Sequence, residues 1–105
     1  MLENLNSGVF SLHLHTTFKV RAPGSEPLSF ELIDVAEKNE SPRVEQFSLF
    51  FRGPVTPHLP QAIYTFEHEK MGTFDLFVVP LGPDSAGMSY QVVFNRLRKT
   101  SSHPA

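Results

Sequence analysis

Residues 44–61 constrain the fold more than any other part of the chain, because an aromatic run leads directly into a proline-rich segment. Within the run, Phe47, Leu49 and Phe51 fall on every second position, which is the side-chain period of a β-strand. On the opposite face, Phe50 stands between the polar residues Ser48 and Arg52, which indicates that both faces of the strand are covered. The segment therefore predicts the central strand of an all-β core.

Length and composition favour one all-β domain. A chain of 105 residues can bury a core without disulfides or a structural metal. Its ten Phe favour half-buried sheet surfaces, and its nine Pro and six Gly leave pieces too short for long helices. We predict a single β domain over residues 10–96, an N-terminal turn or short helix over residues 1–9, and a disordered tail over residues 97–105.

Alternation of apolar and polar residues predicts six main strands with short connections, which suit antiparallel pairing. The expected strands are residues 10–20, 28–36, 45–53, 62–68, 73–79 and 89–96. A shift of phase near Leu32 predicts a β-bulge, Pro80 is expected to end the fifth strand, and residues 69–72 are expected to form a hairpin turn. Burial on both faces favours closure, so the expected fold is a small, mostly antiparallel barrel or a rolled two-layer sheet.

Pro54, Pro57 and Pro60 recur at the three-residue period of a polyproline II helix. Such a segment can serve as a docking peptide for a partner, or it can cover one end of a barrel. We favour the second role, in which the segment covers one end of the barrel.

Charge and terminal sequence exclude several classes of partner. A formal net charge of −2 gives no field that would gather nucleic acid or an anionic membrane. The chain has no Cys, which removes thiol catalysis. Its start has neither the basic residues nor the apolar run of a Sec signal peptide, and no segment reaches the ~20 apolar residues of a membrane span. We expect a cytoplasmic protein without nucleic-acid or membrane partners.

Four motifs together resemble a family of small bacterial proteins catalogued as a domain of unknown function. The motifs are QFSLFFRGP at 46–54, LPQAIY at 59–64, FVVPLG at 77–82 and YQVVFN at 90–95. The resemblance spans roughly residues 10–95 and implies one whole domain of bacterial origin. It implies no activity, cofactor or catalytic residue. It also associates the chain with gene neighbourhoods that hold phage-tail-like or tail-fibre-like proteins.

His13 and His15 stand two residues apart, so on a strand they would project from the same face. Metal sites in β-barrels use this spacing for two imidazoles. However, residues 16–21 provide no acidic ligand, and the last strand provides no further histidine. We therefore expect both histidines on a solvated face and predict no metal and no cofactor.

The remaining candidates for catalysis are Glu67, His68 and Glu69 at the expected hairpin. Acid–base catalysis by carboxylates requires burial that shifts a pKa, and a charged hairpin tip offers little burial. We expect a solvated turn, and no Ser or Gly-rich loop stands in a catalytic or phosphate-binding motif. The sequence predicts no catalytic residue and no enzyme.

Arg52, Gln61 and Asn95, together with Gln46, are polar residues within or beside the aromatic strands. They could line a pocket that binds a polar ligand. Alternatively, they satisfy main-chain groups of the proline-rich loop, because an unpaired buried polar group costs about 1–3 kcal/mol. We favour the second interpretation and keep Arg52, Gln61 and Asn95 as the candidate ligand-binding residues.

Three functions remain open. We favour a non-enzymatic assembly or interaction module that binds a protein partner or itself, as an accessory of a phage-tail-like or secreted particle. The alternative is a small-ligand-binding β-barrel. A metal-dependent enzyme that uses His13 and His15 ranks last.

Overall fold

The computed structural model describes residues 6–24, 26–37, 44–56 and 58–97. These residues form one short helix and six strands. They are α1 (Ser7–Ser11), β1 (Thr17–Arg21), β2 (Leu28–Glu37), β3 (Val44–Gly53), β4 (Ala62–His68), β5 (Gly72–Asp84) and β6 (Gly87–Leu97). No helix in this part of the chain has the length and apolar character needed to cross a membrane.

The strands close into a barrel in the order β1-β2-β3-β6-β5-β4, and every neighbouring pair is antiparallel. This confirms the predicted fold class and its barrel alternative. Strands β3 and β4 follow each other in the chain but are not neighbours in the barrel, so residues 54–61 must pass across one end of it.

Aromatic rings fill the interior of the barrel. Phe51 is fully buried, with its ring centroid 5.3 Å from that of Phe18 and 5.2 Å from that of Phe66. Phe30 stacks on Tyr90 at 4.6 Å. Because an eight-stranded barrel is just wide enough to be filled by side chains, the interior of a six-stranded one is fully occupied by rings of this size.

One buried side chain closes each end of the barrel. Phe10 of α1 enters at the end where β3 begins and lies against the ring of Phe94 at 5.8 Å. Leu59 enters at the opposite end, where its amide donates a hydrogen bond of 2.8 Å to the hydroxyl of Tyr90. The proline-rich loop therefore covers a barrel end, as predicted.

The pairing of β5 with β6 covers only part of these strands. It runs from the pair Asp84–Gly87 to the pair Val79–Gln91, with a bulge between Pro80 and Gly82. Within the described residues, Gly72 to Val78 of β5 then pair with β4 alone, and Val92 to Leu97 of β6 pair with β3 alone. We call this opening between the two strand edges the seam.

The predicted first strand over residues 10–20 is wrong in its first half. Phe10 belongs to α1, whose start is capped by the Asn6 side chain accepting a hydrogen bond of 2.9 Å from the amide of Val9. A turn follows, in which His15 has a φ of 66°. The alternation of apolar residues had concealed the cap, because a five-residue helix is too short to show a period of its own.

The predicted end of the fifth strand at Pro80 is also wrong. Strand β5 continues to Asp84, so the expected loop over residues 81–87 is reduced to a tight turn at Ser85 and Ala86. The bulge beside Pro80 explains this, because a proline is tolerated in a strand where the ladder is already irregular. The bulge near Leu32 and the hairpin turn at 69–72 are confirmed. Of the predicted tail over 97–105, Leu97 belongs to β6, and residues 98–105 lie outside the described residues, as do residues 1–5.

Phe51 and Phe50 provide a test of which face of β3 lines the core. We expect Phe51→Ala to lower the free energy of unfolding by about 3–5 kcal/mol, because it removes a fully buried ring. Phe50 points outward and is half-buried, so Phe50→Ala should cost less than about half as much. Denaturant midpoints of both variants measure the difference. Equal losses of unfolding free energy would mean that the register assigned to β3, and therefore the face that lines the core, is wrong.

Candidate functional site

The structure does not bring the three predicted ligand-binding residues into one pocket. Arg52 on β3 is opposite Ser89 of β6, whereas Asn95 of β6 is opposite Gln46. Ser89 and Asn95 are six residues apart along one strand, which corresponds to about 20 Å. Gln61 is exposed in the loop before β4. Arg52 and Asn95 therefore cannot hold the same small ligand.

Arg52 contacts the turn between β5 and β6. Its Nη2 lies 3.6 Å from Oδ2 of Asp84, and Oδ1 of Asp84 accepts hydrogen bonds from the amides of Ala86 at 2.8 Å and Gly87 at 3.0 Å. The bond from Ala86 is the main cause that lowers the pKa of Asp84, and Arg52 adds to it. This contact fits a role of Arg52 in holding nearby chain segments in place. Its role in ligand binding stays a prediction.

His13 and His15 lie in the turn between α1 and β1, so the prediction that they share a strand face is wrong. His15 is exposed, and its Nδ1 lies 3.3 Å from Oε2 of Glu31. His13 is half-buried, and its ring centroid lies 4.6 Å from that of His68. No group of three or more His, Cys, Asp or Glu side chains in the described part of the chain is placed to hold a metal ion.

His68 lies at a buried polar site with three hydrogen-bond partners. It is 8% exposed, so the expectation of a solvated histidine at the hairpin is wrong. Its Nδ1 lies 3.0 Å from the amide of Lys70 and 3.2 Å from that of Met71, and its Nε2 lies 3.0 Å from Oγ1 of Thr16. The ring also packs 4.5 Å from that of Phe18. We call His13, Thr16 and His68, with the two amides, the His68 junction.

The hydrogen bonds of the His68 junction determine where the imidazole carries its proton. Since Nδ1 faces two amide donors, it accepts from both, and the neutral ring carries its hydrogen on Nε2. Nε2 then donates to Oγ1 of Thr16, which donates in turn to the carbonyl of His13 at 2.6 Å. His68 therefore cannot act as the base for the Thr16 hydroxyl, although the two atoms lie as close as a nucleophile and its base.

Several effects disfavour the charged form of His68. Burial is the largest cause that lowers the pKa of His68, and the electrostatic effect of His13 comes second, while Glu69 raises this pKa and Lys70 lowers it further. A groove of about 280 Å³ borders the ring and is lined by His13, Thr16, Thr17, His68, Glu69 and Lys70. The junction thus holds an imidazole whose charged form is disfavoured, beside a groove at the barrel surface.

A larger groove lies beside the proline-rich loop. It has a volume of about 520 Å³, between residues 22–24 and the segment that includes His58, Leu59 and Tyr64. The hydroxyl of Tyr64 donates a 2.6 Å hydrogen bond to the carbonyl of Pro60 and so holds one wall of the groove in place. Neither Arg52 nor Asn95 lines this groove.

The outer surface of β4 and β5 carries an exposed apolar patch. Ile63 and Phe77 are direct cross-strand partners, with 66% and 48% of their surfaces exposed. Val93, 57% exposed, lies on β6 two residues beyond the pair Val79–Gln91, at which the ladder with β5 stops. We call Ile63, Phe77 and Val93 the outer patch.

Comparison with known families identifies the domain. The profile of a family described as a domain of unknown function, DUF6916, matches residues 5–94. The chain belongs to this family. The expected resemblance to a domain of unknown function is thereby confirmed, whereas the bacterial origin stays a prediction. Searches of the curated proteins and of the solved structures found no significant match to this DUF6916 domain.

The sequence contained a signal for the His68 junction that the hairpin interpretation overlooked. Tyr64 and Phe66 alternate along β4, and His68 continues that alternation into the interior of the barrel. The partner Thr16 is 52 residues away and gives no sequence signal of its own. The sequence contained no signal for the outer patch either, because exposed apolar residues in a strand have the same sequence pattern as residues covered by another layer.

The covered end of the DUF6916 barrel can be tested through its two tyrosines. Tyr90 is fully buried, so Tyr90→Phe leaves the Leu59 amide without its acceptor and should cost about 1–3 kcal/mol of unfolding free energy. Tyr64→Phe removes a donor from the carbonyl of Pro60, which is exposed and can bind water, and should cost only about 0.5–1.5 kcal/mol. Denaturant midpoints measure both. A larger loss for Tyr64→Phe would contradict this account of the loop.

Proposed function

We propose that this DUF6916 domain is a non-enzymatic assembly module that binds a second copy of itself through the outer patch and the seam. The observation that carries the proposal is the direct pairing of two exposed apolar side chains, Ile63 and Phe77. Single exposed apolar residues are common on protein surfaces, whereas contiguous exposed apolar patches are typical of interaction sites. Burial of such a pair is favourable by about 25 cal/mol per Å² of apolar surface.

The surroundings of the outer patch support a protein partner. Next to Ile63 and Phe77 along the same two strands, Thr65 donates a hydrogen bond of 2.8 Å to Asp75. An apolar centre beside paired polar side chains matches the usual arrangement of a protein interface, with a polar rim around a buried core.

The seam supports a second copy of the chain as that partner. Where the ladder between two strands stops, their edges can add a strand from another molecule, which supplies main-chain hydrogen bonds. When the same edge of two identical chains pairs in antiparallel fashion about a twofold axis, the contact is self-complementary and closes as a dimer. Attachment to a phage-tail-like or secreted particle would use the same surface and stays a prediction from the family resemblance.

The filled interior makes a container function less favourable. Rings of Phe18, Phe30, Phe51 and Phe66 occupy the space where a ligand of a larger barrel would bind. The small-ligand alternative keeps one supporting observation, the groove of about 520 Å³ beside the proline-rich loop. A ligand in that groove would shift the NMR signals of Tyr64 and His58, and leave those of Val93, which does not line the groove, unchanged.

Light scattering during size-exclusion chromatography tests the proposed assembly. We expect the wild-type domain to have the mass of a dimer and Phe77→Glu to have that of a monomer, because a charge at the centre of an apolar contact is costly to bury. Leu12→Glu is the matched control, since Leu12 is 79% exposed on the turn after α1. It should keep the wild-type mass.

Two results would contradict this proposal. One is a wild-type domain that stays monomeric at its highest soluble concentration. The other is a dimer that Leu12→Glu disrupts and Phe77→Glu does not. Circular dichroism of each variant would first establish that it retains the β-sheet signal, so that a change in mass reports on assembly.

A further inference from the structure

The barrel is closed between β1 and β4 by few main-chain contacts. These strands pair over three residue pairs, the last of which joins Lys19 to Glu67, whereas β3 and β6 pair over ten. Beyond Glu67, the contact between the two sides continues through the side chains of His68 and Thr16. We call this region the β1–β4 joint.

One imidazole connects three segments at this joint. His68 ends β4, accepts the two amide hydrogen bonds that shape the turn into β5, and reaches the start of β1 through Thr16. Thr16 is also fixed to β2, since its carbonyl accepts a hydrogen bond of 3.2 Å from the amide of Leu32. Loss of the His68 contacts would therefore leave the start of β1 attached to β2 and release it from the hairpin turn, whereas the three main-chain pairs still join the rest of β1 to β4.

We propose that protonation of His68 at Nδ1 opens the β1–β4 joint, so that one side of the barrel is sensitive to acid. A proton on Nδ1 turns an acceptor into a third donor facing the amides of Lys70 and Met71, and both hydrogen bonds are lost. The turn must then move, and His68 leaves Thr16 with it. Opening exposes Phe18 and Phe66, which are fully buried on the inner side of the joint.

The other charged groups around His68 lie on the elements that meet at the joint. His13 faces it from the turn after α1, and Glu69 and Lys70 face it from the hairpin turn. Arg21 and Glu67 form an ion pair of 2.6 Å across the same joint. Among these groups, His68 is the one whose Nδ1 accepts the two amide hydrogen bonds that hold the turn.

The direction of the pH effect follows from proton binding in the two states. In the closed state the pKa of His68 is lowered, whereas in the open state the ring is solvated and has an ordinary pKa of roughly 6.5. Above that value both states are neutral and the equilibrium does not depend on His68. As the pH falls below it, the open state gains a proton that the closed state does not, so the closed state loses stability.

Amide hydrogen exchange followed by NMR measures this opening directly. After correction for intrinsic exchange rates, the opening constants of the Lys70 and Met71 amides should rise between about pH 7.5 and about pH 5.5. The largest expected rise in the opening constants is roughly tenfold, because one group with an open-state pKa near 6.5 can contribute that much over this interval. Wild-type opening constants that do not change with pH would overturn the proposal.

Two matched variants assign the effect to His68. His68→Asn keeps an oxygen acceptor near the position of Nδ1 but does not titrate, so the rise should disappear. His15→Asn is the control, because His15 is exposed and Asn tolerates its positive φ. It should keep the rise. An unchanged rise in His68→Asn, or its loss in His15→Asn, would overturn the proposal.

A measurement on the wild type decides the matter if His68→Asn does not fold. The imidazole signals of His68 should show hydrogen on Nε2 at about pH 7.5. Their pH titration should have a midpoint below roughly 6.5, because the signals report the closed state, in which the pKa of His68 is lowered. A ring that carries hydrogen on Nδ1 at neutral pH, or a closed-state ring that titrates at an ordinary pKa, would refute the proposed mechanism.

Discussion

Packing of aromatic rings inside a narrow barrel is the interaction on which the rest of the structure depends. Six strands enclose less space than the eight of a barrel that is just filled by side chains, yet the interior holds Phe18, Phe30, Phe51, Phe66 and Tyr90. At the end where β5 and β6 part, Phe10 adds a further ring against Phe74 and Phe94. The helix that carries Phe10 is therefore a part of the core.

The strand ladders that close the barrel differ in length. The ladders between β2, β3 and β6 are long, whereas β1 pairs with β4 over three residue pairs and β5 pairs with only part of β6. Both regions proposed to act in function lie where the ladders are short. At the seam, the β5–β6 ladder stops beside the outer patch, and at the β1–β4 joint, side-chain contacts continue where the main-chain pairs end. A barrel with uniform ladders would offer neither an edge for assembly nor a joint that one proton can open.

Errors of the sequence interpretation have identifiable physical causes. Residues 10–20 alternate well enough to predict a strand, but the Asn6 cap starts a helix, and the burial of Phe10 against other rings stabilises it. Pro80 was expected to end a strand, but a bulge accommodates it. Arg52, Gln61 and Asn95 were grouped because they are polar residues near aromatic strands, yet strand register separates Arg52 from Asn95. In each case a contact between distant residues overrode a local pattern.

The sequence by itself determined the all-β class, most strand positions, the bulge near Leu32, the hairpin at 69–72 and the proline-rich cover, because alternation and turn chemistry are local properties. It also contained the inward phase of His68, two residues after Phe66. Only the tertiary structure decided that Thr16 meets His68, that Ile63 and Phe77 are adjacent and uncovered, and that the β5–β6 ladder stops at Val79. These depend on which strands become neighbours and in what register, and the packing of the whole core determines both.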